Sequence, residues 1–276
     1  AARYKTDVQA WEIWNEPFLT SFLAQGYENG AYIHATPAQY LPILKSGAEA
    51  VREGNPNALV LWNRGGEQDI AFDTNAIALG ACDHVDFVTY HQYVHAFSPD
   101  TMVAKKAREI RATQPPDARD MRIWNSEGGP AMHGPINWYV ACPPYRQRDV
   151  DLKWSAYLPR YYLTCLANGV EKFFMYSHAS FGSCNKDYSL MHFDNTVRPS
   201  SLAVANLAWH IEGKGLADFH VLDNGIAACS FTDSFEKVYC MYATKTGRPD
   251  IAALPPEWVA REIGRASCRE RVCHRV

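Results

Sequence analysis

Glu16 and Glu127 are the residues best placed in this chain to break a covalent bond. Glu16 closes the apolar run Trp11-Glu12-Ile13-Trp14-Asn15 and is followed by Pro17; Glu127 closes Arg122-Ile123-Trp124-Asn125-Ser126 and is followed by Gly128-Gly129. Each run reads as a buried strand, and Pro17 or Gly128 is expected to stop regular structure at once. A carboxylate at the mouth of a buried strand is costly to desolvate unless it has a task. Two of them, far apart in a chain of alternating strands and helices, point to a paired-carboxylate site, the machinery of glycosidic bond cleavage. The plainer readings are a helix-start carboxylate for Glu16 and a turn residue for Glu127.

The elements that must position these groups follow from periodicity. Near-continuous apolar runs at 8–14, 58–62, 85–90, 121–124 and 172–176 suit strands buried on both faces. Helices fall between them. Thr36-Pro37 supplies an N-cap and a first-turn proline, Tyr40, Leu41, Leu44, Ala48 and Val51 form one face, and Gly54 closes the helix. Further helices are predicted at 70–79, from Ser98-Pro99, at 149–167 with a kink at Pro159, and at 200–212. Strand–helix alternation predicts a parallel sheet with right-handed crossovers. An open doubly wound sheet and a (β/α)8 barrel both fit. The lack of a GxGxxG after the first strand, and functional residues at the C-terminal ends of several strands, favour the barrel.

The pattern changes after Gly213. Short strands at 219–222, 226–231 and 238–243, with turns at Asp223-Asn224-Gly225 and near 233–236, read as the start of a β-sandwich-like domain over 214–250. Residues 262–276 are basic, hold two Cys and show no period; they resemble translated vector or adapter sequence and stand outside the fold reasoning. With no initiator Met and no signal-peptide pattern, both ends are expected to be cut, as in a gene fragment.

Composition excludes more than it assigns. The formal net charge of −3 with mixed signs argues against a nucleic-acid or membrane-surface partner, and no apolar run is long enough to span a membrane. An aromatic share of 13% with eight Trp suits stacking on sugar faces, although large cores also use aromatics. Cys82, Cys142, Cys165, Cys184, Cys229 and Cys240 show no CxxC spacing, so a structural zinc site is not expected. Cys142 with Cys184, and Cys229 with Cys240, are candidate pairs; buried thiols are the alternative.

Trp14-Asn15-Glu16-Pro17 resembles the acid/base strand of the clan A glycoside hydrolases, retaining (β/α)8 enzymes. Its wider context, WEIWNEP and then a helix carrying Tyr40, is most like family 39, with families 5 and 30 as alternatives. The resemblance covers residues 1 to about 243. It implies that Glu16 is the acid/base, in a dry setting near Trp14, and that Glu127, three strands later, is the nucleophile. Tyr90-His91-Gln92-Tyr93 matches the clan's His-x-Tyr, so His91 would touch substrate and Tyr93 would hydrogen-bond the nucleophile. Asn15 would bind a sugar 2-hydroxyl. The clan's Trp platform is missing from Phe173-Phe174-Met175-Tyr176, where Tyr176 is the nearest aromatic.

Counted this way, residues 1–213 form a TIM barrel lacking its first three βα units, so the chain alone is expected to be inactive and poorly folded. The resemblance implies no cofactor and no metal. The partner would be a carbohydrate, with neither nucleic acid nor membrane involved. Oligomeric state stays open, and an extracellular or periplasmic location fits the class. A catalytically inactive carbohydrate-binding barrel and an inactive fragment are the competing readings. A metal-dependent barrel hydrolase would need a partner for His91 at ligand spacing, such as HxH. His95, His133, Trp138, Tyr145 and His178 are further candidates for sugar subsites.

Overall fold

The computed structural model describes residues 1–66, 69–94, 99–130, 144–176, 190–192, 195–222 and 225–244. In chain order the elements are β1 (Ala10–Glu12), β2 (Ala24–Glu28), β3 (Ala31–His34), α1 (Pro37–Gly54), β4 (Leu59–Arg64), α2 (Ile70–Ala78), β5 (Phe87–Val94) and α3 (Pro99–Ala112). They continue with β6 (Arg122–Pro130), α4 (Pro144–Ala167), β7 (Val170–Met175), α5 (Pro199–Ile211), β8 (Gly215–Val221), β9 (Ile226–Thr232) and β10 (Lys237–Ala243). The chain divides into two compact units, one of 1–93, 103–128 and 168–175, the other of 94–102, 129–167 and 176–276.

The first unit holds a five-stranded sheet in the order β1-β4-β5-β6-β7, with parallel registers at β1/β4, β4/β5 and β6/β7. Its inner strands are buried on both faces, as continuous apolar runs require: Val60, Trp62, Val88 and Tyr90 on one face and Leu61, Asn63, Phe87 and Thr89 on the other are all buried. Leu61, Phe87 and Trp124 pack together across β4, β5 and β6. Helix α1 starts at a full capping box, in which the Thr36 hydroxyl accepts from Gln39 N and the Gln39 side chain accepts from Thr36 N. Tyr40, Leu44, Ala48 and Val51 form its buried stripe.

Two local expectations need correction. Gly128 does not end β6; the strand runs to Pro130, and its register against β7 slips between Asn125 and Gly128. Such a bulge re-aims side chains without ending the strand. The second correction is the antiparallel pair β2–β3, absent from the sequence reading. Asn29-Gly30, both at positive φ (49° and 83°), makes its turn.

In the second unit β10-β9-β8 form an antiparallel sheet. Leu163 of α4 and Leu207 of α5 pack with Ala227, Phe231 and Tyr242 against it. A second sheet that would make this a sandwich does not occur among the described residues. Cys229 faces Cys240 across β9/β10 as the hairpin predicts, yet no disulfide joins them, and Cys82 and Cys165 are also outside any disulfide. Burial pushes the Cys229 thiol up to about 12. The readings placed on His95, His133, Trp138, Cys142, His178, Cys184 and residues 245–276 fall outside the described residues, as does the side chain of Tyr145. Among the described residues no helix is long and apolar enough to cross a membrane.

Candidate active site

The site is assembled at the C-terminal ends of β1, β5 and β6. After β1 the chain stays bound to the sheet for one residue, with Ile13 N donating to Leu61 O at 3.0 Å and the Tyr40 hydroxyl donating to Ile13 O at 2.9 Å. It then turns sharply. Trp14 (φ 75°) and Glu16 (φ 42°) both take the left-handed conformation, which side chains adopt at a cost of roughly 1–3 kcal/mol each. Pro17 and Phe18 are buried behind the turn, and the Glu16 side chain is left only 12% exposed. The β2–β3 hairpin braces the far side, where His34 Nε2 donates to Pro17 O at 3.0 Å.

Strand alternation places Thr89, His91 and Tyr93 on one face of β5. His91 Nδ1 lies 2.9 Å from Glu16 Oε1 and 3.8 Å from Glu127 Oε2. The Tyr93 hydroxyl donates to Glu127 Oε1 at 2.6 Å. One ligating atom from each of Glu16, His91 and Glu127 lies within 4.8 Å of the other two. Strands three apart in a flat sheet would sit about 14 Å apart. Convergence of their carboxylates therefore requires the sheet to curl, with this polar face on the concave side.

His91 is almost fully buried, and burial by itself disfavours its charge; contacts with Glu12 and Glu16 and the field of Glu127 outweigh that and raise its pKa to about 9. It is therefore an imidazolium at neutral pH. Glu16, His91 and Glu127 bracket a space small enough for a cation. At 2.9 Å the His91 Nδ1–H donates to the Glu16 carboxylate, so the ring nitrogen facing that space is taken up by its proton.

The sequence-predicted residues divide into two groups. Glu16, His91, Tyr93 and Glu127 meet in direct contacts within the first unit. Asn15 is exposed beside Glu16 in the chain, and Tyr176 is exposed directly after β7, in the second unit. Trp14 is no dry wall for Glu16: it is 47% exposed, with its indole N–H donating to Phe22 O at 3.0 Å. One residue was missed. Glu12 Oε1 lies 3.8 Å from His91 Nε2, and the Thr89 hydroxyl donates to Glu12 Oε2. A charged residue in the middle of a run otherwise read as buried was the available signal.

No family model matches the sequence, and no curated protein matches it. Solved structures do. The chain is similar to a family 39 glycoside hydrolase from the gut symbiont Bacteroides cellulosilyticus WH2, with a TM-score of 0.64 and 21% identity, covering 88% of this chain and 49% of that one. It is also similar to a family 51 α-L-arabinofuranosidase from Bifidobacterium longum, with a TM-score of 0.57 and 12% identity over 79% of this chain and 51% of that one. An α-L-arabinofuranosidase from Thermotoga maritima gives 0.52 and 16% over 83% of this chain and 45% of that one. What the chain shares with these glycosidases is their fold. At these identities the likeness is one of fold alone, and the chain spans about half the length of the structures it matches. The five parallel strands with their helices fit part of the glycosidase (β/α)8 barrel.

Proposed function

We propose that this barrel portion carries the catalytic pair of a retaining glycoside hydrolase, with Glu127 as nucleophile and Glu16 as acid/base. One observation carries the reading: carboxylate oxygens of Glu16 and Glu127 lie within 4.8 Å of each other. That close approach supports the roughly 5–5.5 Å carboxyl spacing of retaining enzymes. Glu127 attacks the anomeric carbon while the glycosidic C–O bond breaks and Glu16 gives its proton to the leaving oxygen. Water then attacks the glycosyl ester, Glu16 takes its proton, and Glu127 leaves as carboxylate.

Tyr93 holds one Glu127 oxygen at 2.6 Å, which leaves Oε2 to attack. His91 bridges the pair and faces the sugar. Asn15 is assigned to the 2-hydroxyl. WEIWNEP supports family 39 among the clan A families, with a carbohydrate as the partner. The chemistry asks for neither a metal nor an organic cofactor.

The experiment is hydrolysis of nitrophenyl glycosides, together with trapping by a 2-fluoro glycoside carrying a good leaving group. The expected result is a covalent adduct on Glu127, loss of turnover by roughly 10³-fold or more in Glu127→Gln, and loss in Glu16→Gln that is milder for activated leaving groups. Hydrolysis with inverted anomeric configuration, or undiminished in Glu127→Gln, would overturn the assignment.

A further inference from the structure

Glu12 takes no part in the two displacements, yet it is the carboxylate on the far side of His91. The imidazole sits between acids: Nδ1 is 2.9 Å from Glu16 Oε1, and Nε2 is 3.8 Å from Glu12 Oε1. The second Glu12 oxygen accepts the Thr89 hydroxyl, and Thr89 Oγ1 in turn accepts from Asn63 Nδ2 at 3.4 Å. Asn63 and Thr89 are fully buried, so a chain of polar groups runs from the interior of the sheet through Glu12 and His91 to Glu16. Nothing in the packing of a sheet requires such a chain. An apolar residue at position 12 would remove the desolvation cost of a carboxylate that is itself only 22% exposed.

We propose that Glu12 is a positioning residue, which engages the Nε2 side of His91 and thereby fixes the ring with Nδ1 directed at Glu16. The proposal rests on the reading of Glu16 as acid/base. Its chemical consequence is that the Glu12–His91 pair is close to neutral overall. Glu16 then meets a fixed hydrogen-bond donor whose positive charge is already matched, and can gain and lose a proton during the two displacements. The charged groups that face His91 among the described residues are Glu12 of β1, Glu16 of the following turn and Glu127 of β6. Tyr93 faces Glu127, and β4 contributes the neutral Asn63.

The test is an NMR titration of the His91 ring in the whole chain, from about pH 5 to about pH 11, with the resonance assigned by its loss in His91→Gln. Wild type is expected to titrate near 9. Glu12→Gln should lower the midpoint by about one unit or more, and Glu12→Asp should restore part of it. Thr89→Val, which frees Glu12 without removing its charge, should move the midpoint in the same direction. A midpoint in Glu12→Gln within about 0.3 unit of wild type overturns the proposal. Where hydrolysis is followed as well, Glu12→Gln should displace a limb of the pH–rate profile while KM stays within about twofold. If Glu16→Gln abolishes hydrolysis while the His91 midpoint ignores Glu12, this inference alone fails. If the midpoint falls but Glu16→Gln hydrolyses normally, the positioning of His91 stands and the glycosidase assignment fails.

Discussion

Removing Asp73 should be among the most damaging single changes to the first unit. Asp73 on α2 is 1% exposed, beside Arg64 at 1% and Lys106 at 2%. Its carboxylate takes Arg64 Nε at 3.3 Å, Gly65 N at 3.0 Å and Gly66 N at 2.8 Å, while Lys106 Nζ donates to Gly65 O at 2.7 Å. Arg64 also donates to Ile110 O at 3.2 Å and to Thr113 Oγ1 at 2.6 Å. Burial pushes the Asp73 carboxyl up overall, against the downward pull of Arg64, the two amides and Lys106. With a guanidinium and two amide donors on it, the geometry favours the carboxylate.

Asp73→Ala removes the acceptor of Arg64 Nε and of two amides, and takes the nearby negative charge away from two buried cations. Breaking a buried pair in this way costs about 3–5 kcal/mol. For a unit of this size that corresponds to a fall in melting temperature of roughly 10–20 °C. Urea unfolding of the chain, read as a midpoint shift at constant m, measures it. Arg64→Met combined with Asp73→Leu should recover much of the loss, because the desolvation cost leaves with the charges. A loss below about 1 kcal/mol in Asp73→Ala would refute the reasoning, since the three groups could not then be buried as an ion cluster.

Two further outcomes follow from the same geometry. Gly128→Ala should cost about 1–3 kcal/mol in urea unfolding and displace Glu127, because a methyl group there overlaps the Gln92 carbonyl of β5 and approaches Asn125 Oδ1 to 3.1 Å; an unchanged midpoint would refute it. The raised His91 group adds stability that is complete below its ordinary value of 6.5 and is lost as pH rises through about 9. Urea midpoints should therefore fall across that window in wild type and stay flatter in His91→Gln.

Much of this protein was legible in its sequence. Strand and helix periods placed the five strands of the parallel sheet and the five α-helices seen among the described residues, because each depends on residues within one turn or one pleat of one another. Thr36, Pro37 and the Tyr40–Val51 stripe announced α1 from local contacts alone. Asn29-Gly30 announced a hairpin as well, but its strands are exposed throughout β2 and lack the apolar alternation that drew attention elsewhere. The chemical types of Glu16, His91, Tyr93 and Glu127 were also readable, since a polar residue at the end of a buried strand stands out against its neighbours.

What the tertiary structure decided was which of these groups meet. The curl of the sheet brings carboxylates from strands three apart within 4.8 Å, and that curl arises from strand twist and packing summed over the whole unit. The bulge before Gly128 and the left-handed Trp14 and Glu16 aim the two acids, and each is held by contacts with distant segments. Glu12 passed unnoticed for the same reason. Its partners, His91 and Thr89, lie far along the chain, and only a folded sheet places them beside it.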